Sequence, residues 1–222
     1  MKRRPLLLGH RGCRTAALTE NSLPAFEYAL SQGCDGFEFD VRHTRDGRNV
    51  LWHDPEWHSK KIASTAYTEL VDGQGNRLAC FDEVLQQFGE HAFLDTELKF
   101  AGNEESIVAA LQASPPQCGF IVSSFLPQVL LRLHELDGKL PLGFICDRRE
   151  AISVYPDLPI RFLLPHHGLV RSRLVDEAHQ RGLQIMAWTL NDKRRMLELA
   201  EWGIDGLISD DPQLLYQTFH PA

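Results

Sequence analysis

The sequence has no Cys-x-x-Cys pair. Its five cysteines, Cys13, Cys34, Cys80, Cys118 and Cys146, are odd in number and scattered, which argues against a zinc knuckle and a disulfide framework and for a reducing, cytoplasmic location. No apolar run approaches the length of a membrane span. The run behind the basic head "MKRRPLLLG" stops after Leu8, too short for the apolar region of a secretion signal, so stable membrane insertion is not expected. Excess positive charge is missing too. The net charge is −7, and an acidic surface does not favour nucleic acid or an anionic bilayer as the main partner. A small anionic substrate stays compatible, because a local cation outweighs a global charge at short range. There is no linker and no low-complexity segment. A chain of 222 residues with 43% hydrophobic content is enough for one sizeable core and short of two ordinary domains. Residues 1–222 are therefore expected to form one domain. Oligomeric state is left open.

What is present is an alternation. Short apolar runs such as "PLLLG" (5–9), "DGFEFDV" (35–41), "NVLWHD" (49–54), "AFLDTELK" (92–99) and "GFIVSSF" (119–125) read as strands. So do "LPLGFIC" (140–146), "IRFLLPHH" (160–167), "LQIMAWTLN" (183–191) and "DGLISDDP" (205–212). Amphipathic stretches lie between most of them. The one at 22–33 has Ser22 as N-cap and Gly33 as its stop. Others fall at 81–89, 103–113, 127–136, 172–182 and 192–203, with a weak turn at 149–153 and a short last helix. Strand–helix alternation predicts a parallel sheet covered by helices. About eight units fit an α/β fold of the (β/α)8 TIM-barrel type, with a short insertion at 55–80 after the second barrel strand. The runner-up is an open doubly wound sheet. Its first strand should lead into G-x-G-x-x-G, and "GHRGCR" lacks that pattern.

In a barrel the C-terminal strand ends carry the chemistry. His10 and Arg11 end the first strand between glycines that allow a sharp turn and a close backbone approach. Glu38 and Asp40 are two apart in a strand, so both carboxylates face one way. Buried side by side they repel, and a divalent cation removes that cost. In "LDTELK", Asp95, Glu97 and Lys99 share a face, with Glu97 as the third carboxylate. Lys99 fits either an ion pair with it or a phosphate oxygen. Oxygen-only ligands suit Mg²⁺ or Ca²⁺ better than zinc. His53 ends a further strand, with Asp54 beside it to orient it or to cap the turn. Two imidazoles near a cation are what phosphoryl transfer to water or an alcohol needs: one takes a proton from the attacking oxygen and one protonates the leaving oxygen.

The segments "GHRG", "TENSLPAF", "GCDGFEFDVRHTRDGRNVLWHD", "ELK", "SSF", "AWTLN" and "GIDGLISDDP", in this order, resemble the glycerophosphodiester phosphodiesterases. The resemblance implies a TIM barrel, a divalent cation, and hydrolysis of a small-molecule glycerophosphodiester to an alcohol and glycerol 3-phosphate. It maps His10 and His53 to the acid–base pair, with His10 as base. It maps Arg11 to phosphate binding, Glu38, Asp40 and Glu97 to the metal ligands, and Lys99 to the family's Glu-x-Lys lysine. Thr19 stands where the family usually has proline, and the segment after His53 departs from the family pattern. Alternatives on the same scaffold are a lysophospholipase D or sphingomyelinase D-like activity, and a non-catalytic phosphodiester-binding barrel. Phe125 and Trp188 end strands and suit either packing on a glycerol backbone or the core. His166 and His167 fit pocket, capping or surface roles. "SDDP" (209–212) reads as the N-cap of the last helix. Trp57 is the aromatic near His53 that could meet a cationic headgroup.

Overall fold

The computed structural model describes residues 4–221. Among them the strands are β1 (Leu6–Gly9), β2 (Gly36–His43), β3 (Asn49–Leu51), β4 (Glu56–Trp57), β5 (Lys60–Lys61) and β6 (Phe93–Leu98). They continue with β7 (Phe120–Ser124), β8 (Leu142–Cys146), β9 (Phe162–Pro165), β10 (Gln184–Ala187) and β11 (Gly206–Ser209). The helices are α1 (Leu23–Ser31), α2 (Phe81–Phe88), α3 (Glu104–Ala113), α4 (Pro127–Leu136), α5 (Arg149–Ile152), α6 (Ser172–Gln180), α7 (Lys193–Trp202) and α8 (Pro212–Phe219). Eight strands run parallel in the order β1, β11, β10, β9, β8, β7, β6, β2, and β2 pairs back onto β1. That closure makes the expected (β/α)8 barrel and excludes the open sheet.

The stretch 49–54 divides. Only Asn49–Leu51 is strand, and it runs antiparallel along the upper half of β2, with Val41 opposite Leu51. It is therefore a hairpin arm and not one of the barrel strands. The insertion that follows has its own small core of Val50, Trp57, Ile62, Leu70, Leu78 and Cys80.

Side chains alternate along each barrel strand. Phe37, Phe39 and Val41 point out against the helices, with Phe37 stacked on Phe26 of α1 at 4.1 Å between ring centroids. The inward positions form a second apolar cluster around Leu8, Ile121, Ile145, Leu164, Met186 and Ile208. Inward positions therefore change from apolar at the base to charged at the C-terminal rim. Helix starts follow the local sequence: the Ser22 and Asp211 side chains accept backbone N–H groups from the first turns of α1 and α8.

At the opposite mouth, Asp35 ties β1 to β2. It accepts the Leu7 N–H at 2.9 Å and pairs with Arg4 at 2.6 and 2.8 Å. Burial alone would raise its pKa, but the Arg4 guanidinium and the Leu7 amide outweigh burial and hold it below the usual carboxylate value. The folded pKa thus lies under the unfolded value of about 3.9. The stabilisation is fully present above that value and is lost as pH falls through the folded pKa. Asp35→Ala is expected to lower stability by about 1–2 kcal/mol at neutral pH. Denaturant melts should show the gap from wild type narrowing below about pH 4.

Candidate active site

The rim turn is built by two glycines. A side chain at Gly9 would meet the Gly12 carbonyl oxygen at 2.0 Å, and Gly12 has φ +81 with the Ala25 oxygen 2.8 Å from its missing Cβ. Between them Arg11 is held in left-handed backbone, φ 50, which disfavours any residue with a side chain. The strain is offset by bonds. The Arg11 N–H donates to Glu38 Oε2 at 3.0 Å, and its guanidinium pairs with Glu20 at 2.7 Å and Asp40 at 3.1 Å.

Glu38 and Asp40 on β2 stand opposite Asp95 and Glu97 on β6. All four are buried. One oxygen each from Glu38, Asp40 and Glu97 lies within 4.8 Å of the others. Lys99 bridges Glu97 at 2.5 Å and Asp40 at 2.8 Å. Burial and the Asp40 charge push Glu38 well above its ordinary pKa, and burial pushes Glu97 up to about 7. Asp40 is buried too, yet Lys99 and Arg11 hold it below the usual range. With Glu20, which shares the Arg11 guanidinium, five carboxylates thus surround two fixed cations, so negative charge is in excess when all are ionised. Glu38 Oε1 is buried and has no hydrogen-bond partner. An all-oxygen set with an orphaned acceptor fits a hard divalent cation.

His10 sits with Nε2 3.8 Å from Glu38 Oε2, and its Nδ1 meets Asp210 Oδ1 at 2.6 Å. His53 has Nδ1 on Asp54 at 2.7 Å, and its carbonyl oxygen accepts from Arg42 Nε at 2.9 Å. Burial and the Lys99 ammonium push the His53 imidazole below its ordinary pKa, against the pull of Asp54. Each imidazole is therefore backed by a carboxylate through Nδ1. Both line one cavity of about 140 Å³ together with Arg11, Glu38, Glu97 and Lys99. Phe125 and Trp188 form its aromatic wall, edge to face at 5.6 Å. The structure thus brings all nine expected site residues to one end of the barrel. A wider depression of about 630 Å³ opens at the opposite mouth around Arg4, Asp35 and Asp205. It carries none of them, and its carboxylates are already paired with Arg4 and His179.

The model of the glycerophosphoryl diester phosphodiesterase family matches residues 10–214. The chain belongs to this family. It is 28% identical to a glycerophosphodiester phosphodiesterase of Caldanaerobacter subterraneus subsp. tengcongensis over 95% of this chain and 96% of that one. With a glycerophosphodiester phosphodiesterase of Bacillus subtilis the identity is 25%, over 97% and 86% of the two chains. Among solved structures, a phosphodiesterase of Oleispira antarctica, in complex with the product sn-glycerol-3-phosphate, superposes with a TM-score of 0.85. It shares 24% identity, over 98% of this chain and 97% of that one.

Two contacts at the site, made by Asp210 and Asn21, are not foreseen by the sequence reading. Asp210 was read only as part of a capping segment. Asp211 does cap α8, through the Leu214 N–H at 2.9 Å, but Asp210 turns inward to His10 and is itself held by Asn191 Nδ2 at 2.7 Å. Its signal was the alternation Gly206, Ile208, Asp210, which continues the inward face of β11. Asn21, at φ 55, clamps Asp40 with Nδ2 on Oδ2 at 2.8 Å and accepts the Asp40 N–H at 3.0 Å. Trp57 is buried in the insertion core, so it offers no face to a headgroup. His166 packs edge to face on Trp188, while His167 bonds backbone to backbone with Trp188 and gives its carbonyl to Arg195.

Proposed function

We propose that the chain is a glycerophosphodiester phosphodiesterase that releases an alcohol and sn-glycerol 3-phosphate. In this reading His10 and His53 transfer the protons, and one divalent cation, Mg²⁺ or Ca²⁺, is held by Glu38, Asp40 and Glu97. The observation that carries it is the pair of carboxylate-backed imidazoles lining one small cavity with that buried acidic cluster. The relatives named for this activity match over nearly the whole chain, and the Oleispira phosphodiesterase holds the corresponding product.

His10 Nε2 takes the proton of the attacking oxygen, because Nδ1 is committed to Asp210. His53 Nε2 gives a proton to the departing alkoxide, and its lowered pKa makes its imidazolium a stronger acid than a free one. Arg11 and Lys99 meet the phosphoryl oxygens, and Phe125 and Trp188 flank the glycerol carbons. Glu38, Asp40 and Glu97 would hold the cation, which would supply a Lewis acid to polarise a phosphoryl oxygen and offset its charge. Residues 1–222 then act as one catalytic domain, and the five unpaired cysteines suit a reducing cytoplasm. No helix among the described residues is long and apolar enough to cross a membrane.

Lysophospholipase D and sphingomyelinase D-like activities have less support. The cavity of about 140 Å³ is small beside the roughly 300–1,000 Å³ of sites that enclose drug-sized ligands, so it suits a polar head rather than an acyl chain. Pure binding has no use for carboxylate-backed imidazoles. The deciding experiment is turnover of glycerophosphocholine with and without EDTA: release of choline and sn-glycerol 3-phosphate only without chelator supports the reading, and no release refutes it.

A prediction follows for Asp210. Asp210→Ala leaves the His10 ring without its anchor. A misplaced base costs on the order of 10²-fold, so kcat should fall by about that factor with KM nearly unchanged. A fall in melting temperature with kcat intact would assign Asp210 to the fold alone.

A further inference from the structure

The inward registers of β2 and β6 set four carboxylates in a block, Asp40 beside Glu97 at the rim and Glu38 beside Asp95 one step lower. Asp95 stands apart from the other three. Its oxygens are not among the cation-holding group. Lys99 and Arg11 pair with Asp40, Glu97 and Glu20 rather than with Asp95. It is fully buried and lines the cavity. Oδ1 accepts from Ser123 Oγ at 2.7 Å, and Oδ2 has no partner. Ile145, Leu164 and Ile208 line the same cavity with apolar surface.

A buried carboxylate oxygen without a donor is costly. A ligand that brings an O–H to that depth removes the cost. The apolar neighbours accept carbon at the same place. A phosphate offers oxygens only and would be repelled by the carboxylate, which leaves the hydroxylated carbon chain of the substrate as the matching part.

We infer that Asp95 is a specificity-determining residue that accepts, through its free carboxylate oxygen, a hydrogen bond from a hydroxyl of the substrate's glycerol portion. The inference rests on the proposed glycerophosphodiesterase activity. It seats the glycerol deep in the cavity, carbons on the apolar floor, with the phosphate above it at Arg11, Lys99 and the cation-holding carboxylates.

The test compares wild type, Asp95→Ala and Asp95→Asn on glycerophosphoethanolamine and on propylphosphoethanolamine, which lacks the hydroxyls. Losing one hydrogen bond so that a buried hydroxyl is left without a partner corresponds to about 10- to 100-fold. Asp95→Ala should lose that much kcat/KM on the glycerol substrate and less than about threefold on the propyl analogue. Mg²⁺ affinity, measured by calorimetry, should stay unchanged. Asp95→Asn keeps the shape and a neutral acceptor, so its loss should be smaller, and it decides the matter by the same ratio if the alanine variant does not fold. Equal losses on the two substrates overturn the inference, as does a loss of Mg²⁺ affinity, which would assign Asp95 to the cation. Calorimetric binding of sn-glycerol 3-phosphate against propyl phosphate separates the two readings. Discrimination that vanishes in Asp95→Ala without any wild-type turnover would refute the activity and keep the hydroxyl contact. Equal binding of both ligands by wild type would refute the contact.

Discussion

Replacing His10 or His53 with alanine is expected to lower kcat by about 10²- to 10⁴-fold while the barrel stays folded, the range for loss of a positioned acid or base. The two losses should not multiply, because both groups serve one proton transfer sequence. They should also differ in kind. In the proposed mechanism His53 protonates the departing oxygen, so a leaving group that needs no proton should bypass it. On glycerol 4-nitrophenyl phosphate the His53 variant should recover most of its turnover, and the His10 variant should not. Steady-state kinetics on that substrate and on glycerophosphocholine, with circular dichroism to confirm folding, checks both points. Recovery of both variants, or of neither, would reject the separate assignment of base and acid. The half-exposed position of His53 and its anchoring through Arg42 on its carbonyl leave the fold little dependent on the imidazole itself.

Chelation is expected to have the second large effect. Glu38, Asp40, Asp95 and Glu97 lie buried together, and burial raises the pKa values of Glu38 and Glu97. Without a cation the cluster is relieved by taking up protons. A cation replaces those protons, so its affinity should rise with pH. EDTA should abolish turnover. Added Mg²⁺ or Ca²⁺ at a hundred times its Kd should stabilise the chain by about 2.7 kcal/mol, or roughly 5–10 °C in Tm for a barrel of this size. Glu38→Gln should lose both the activity and most of the Tm rise. Turnover that persists in EDTA, or a Tm indifferent to divalent ions, would remove the cation from the proposal.

Most of the barrel was legible because its strands and helices differ in period and because turn residues punctuate them. The strands bearing Glu38, Asp40 and Glu97 were legible for a second reason: a charged residue at an inward position is rare enough to stand out. What escaped did so for identifiable reasons. Periodicity marks a strand but not its direction, so 49–54 read like its neighbours although β3 runs antiparallel on β2. Asp210 and Asp211 are adjacent and identical, and only the face each takes separates a partner of His10 from a helix cap. Trp57 lies close to His53 in sequence, but the insertion needs an apolar centre of its own and buries it. Asn21 acts across nineteen residues on Asp40, a pairing that no local pattern encodes.

The junction of β1 and β2 carries a consequence of its own. These strands share only the pairs Leu8–Gly36 and Gly9–Phe37; above them the edge of β2 is taken by β3. The ladder does not continue to the rim on this side. Its place is filled by the Arg11 amide on Glu38, the Arg11 guanidinium on Asp40 and the Asn21 clamp. Those carboxylates thus act as a clasp, besides the cation-holding role proposed for them. Functional groups usually make a protein less stable than it could otherwise be, yet Asp40, held ionised by Lys99 and Arg11, cannot be made neutral without loosening the seam that it closes. Local opening there parts His10 from the acidic cluster and frees the amides of the rim turn in a single step, so completion of the barrel and assembly of the site are one event.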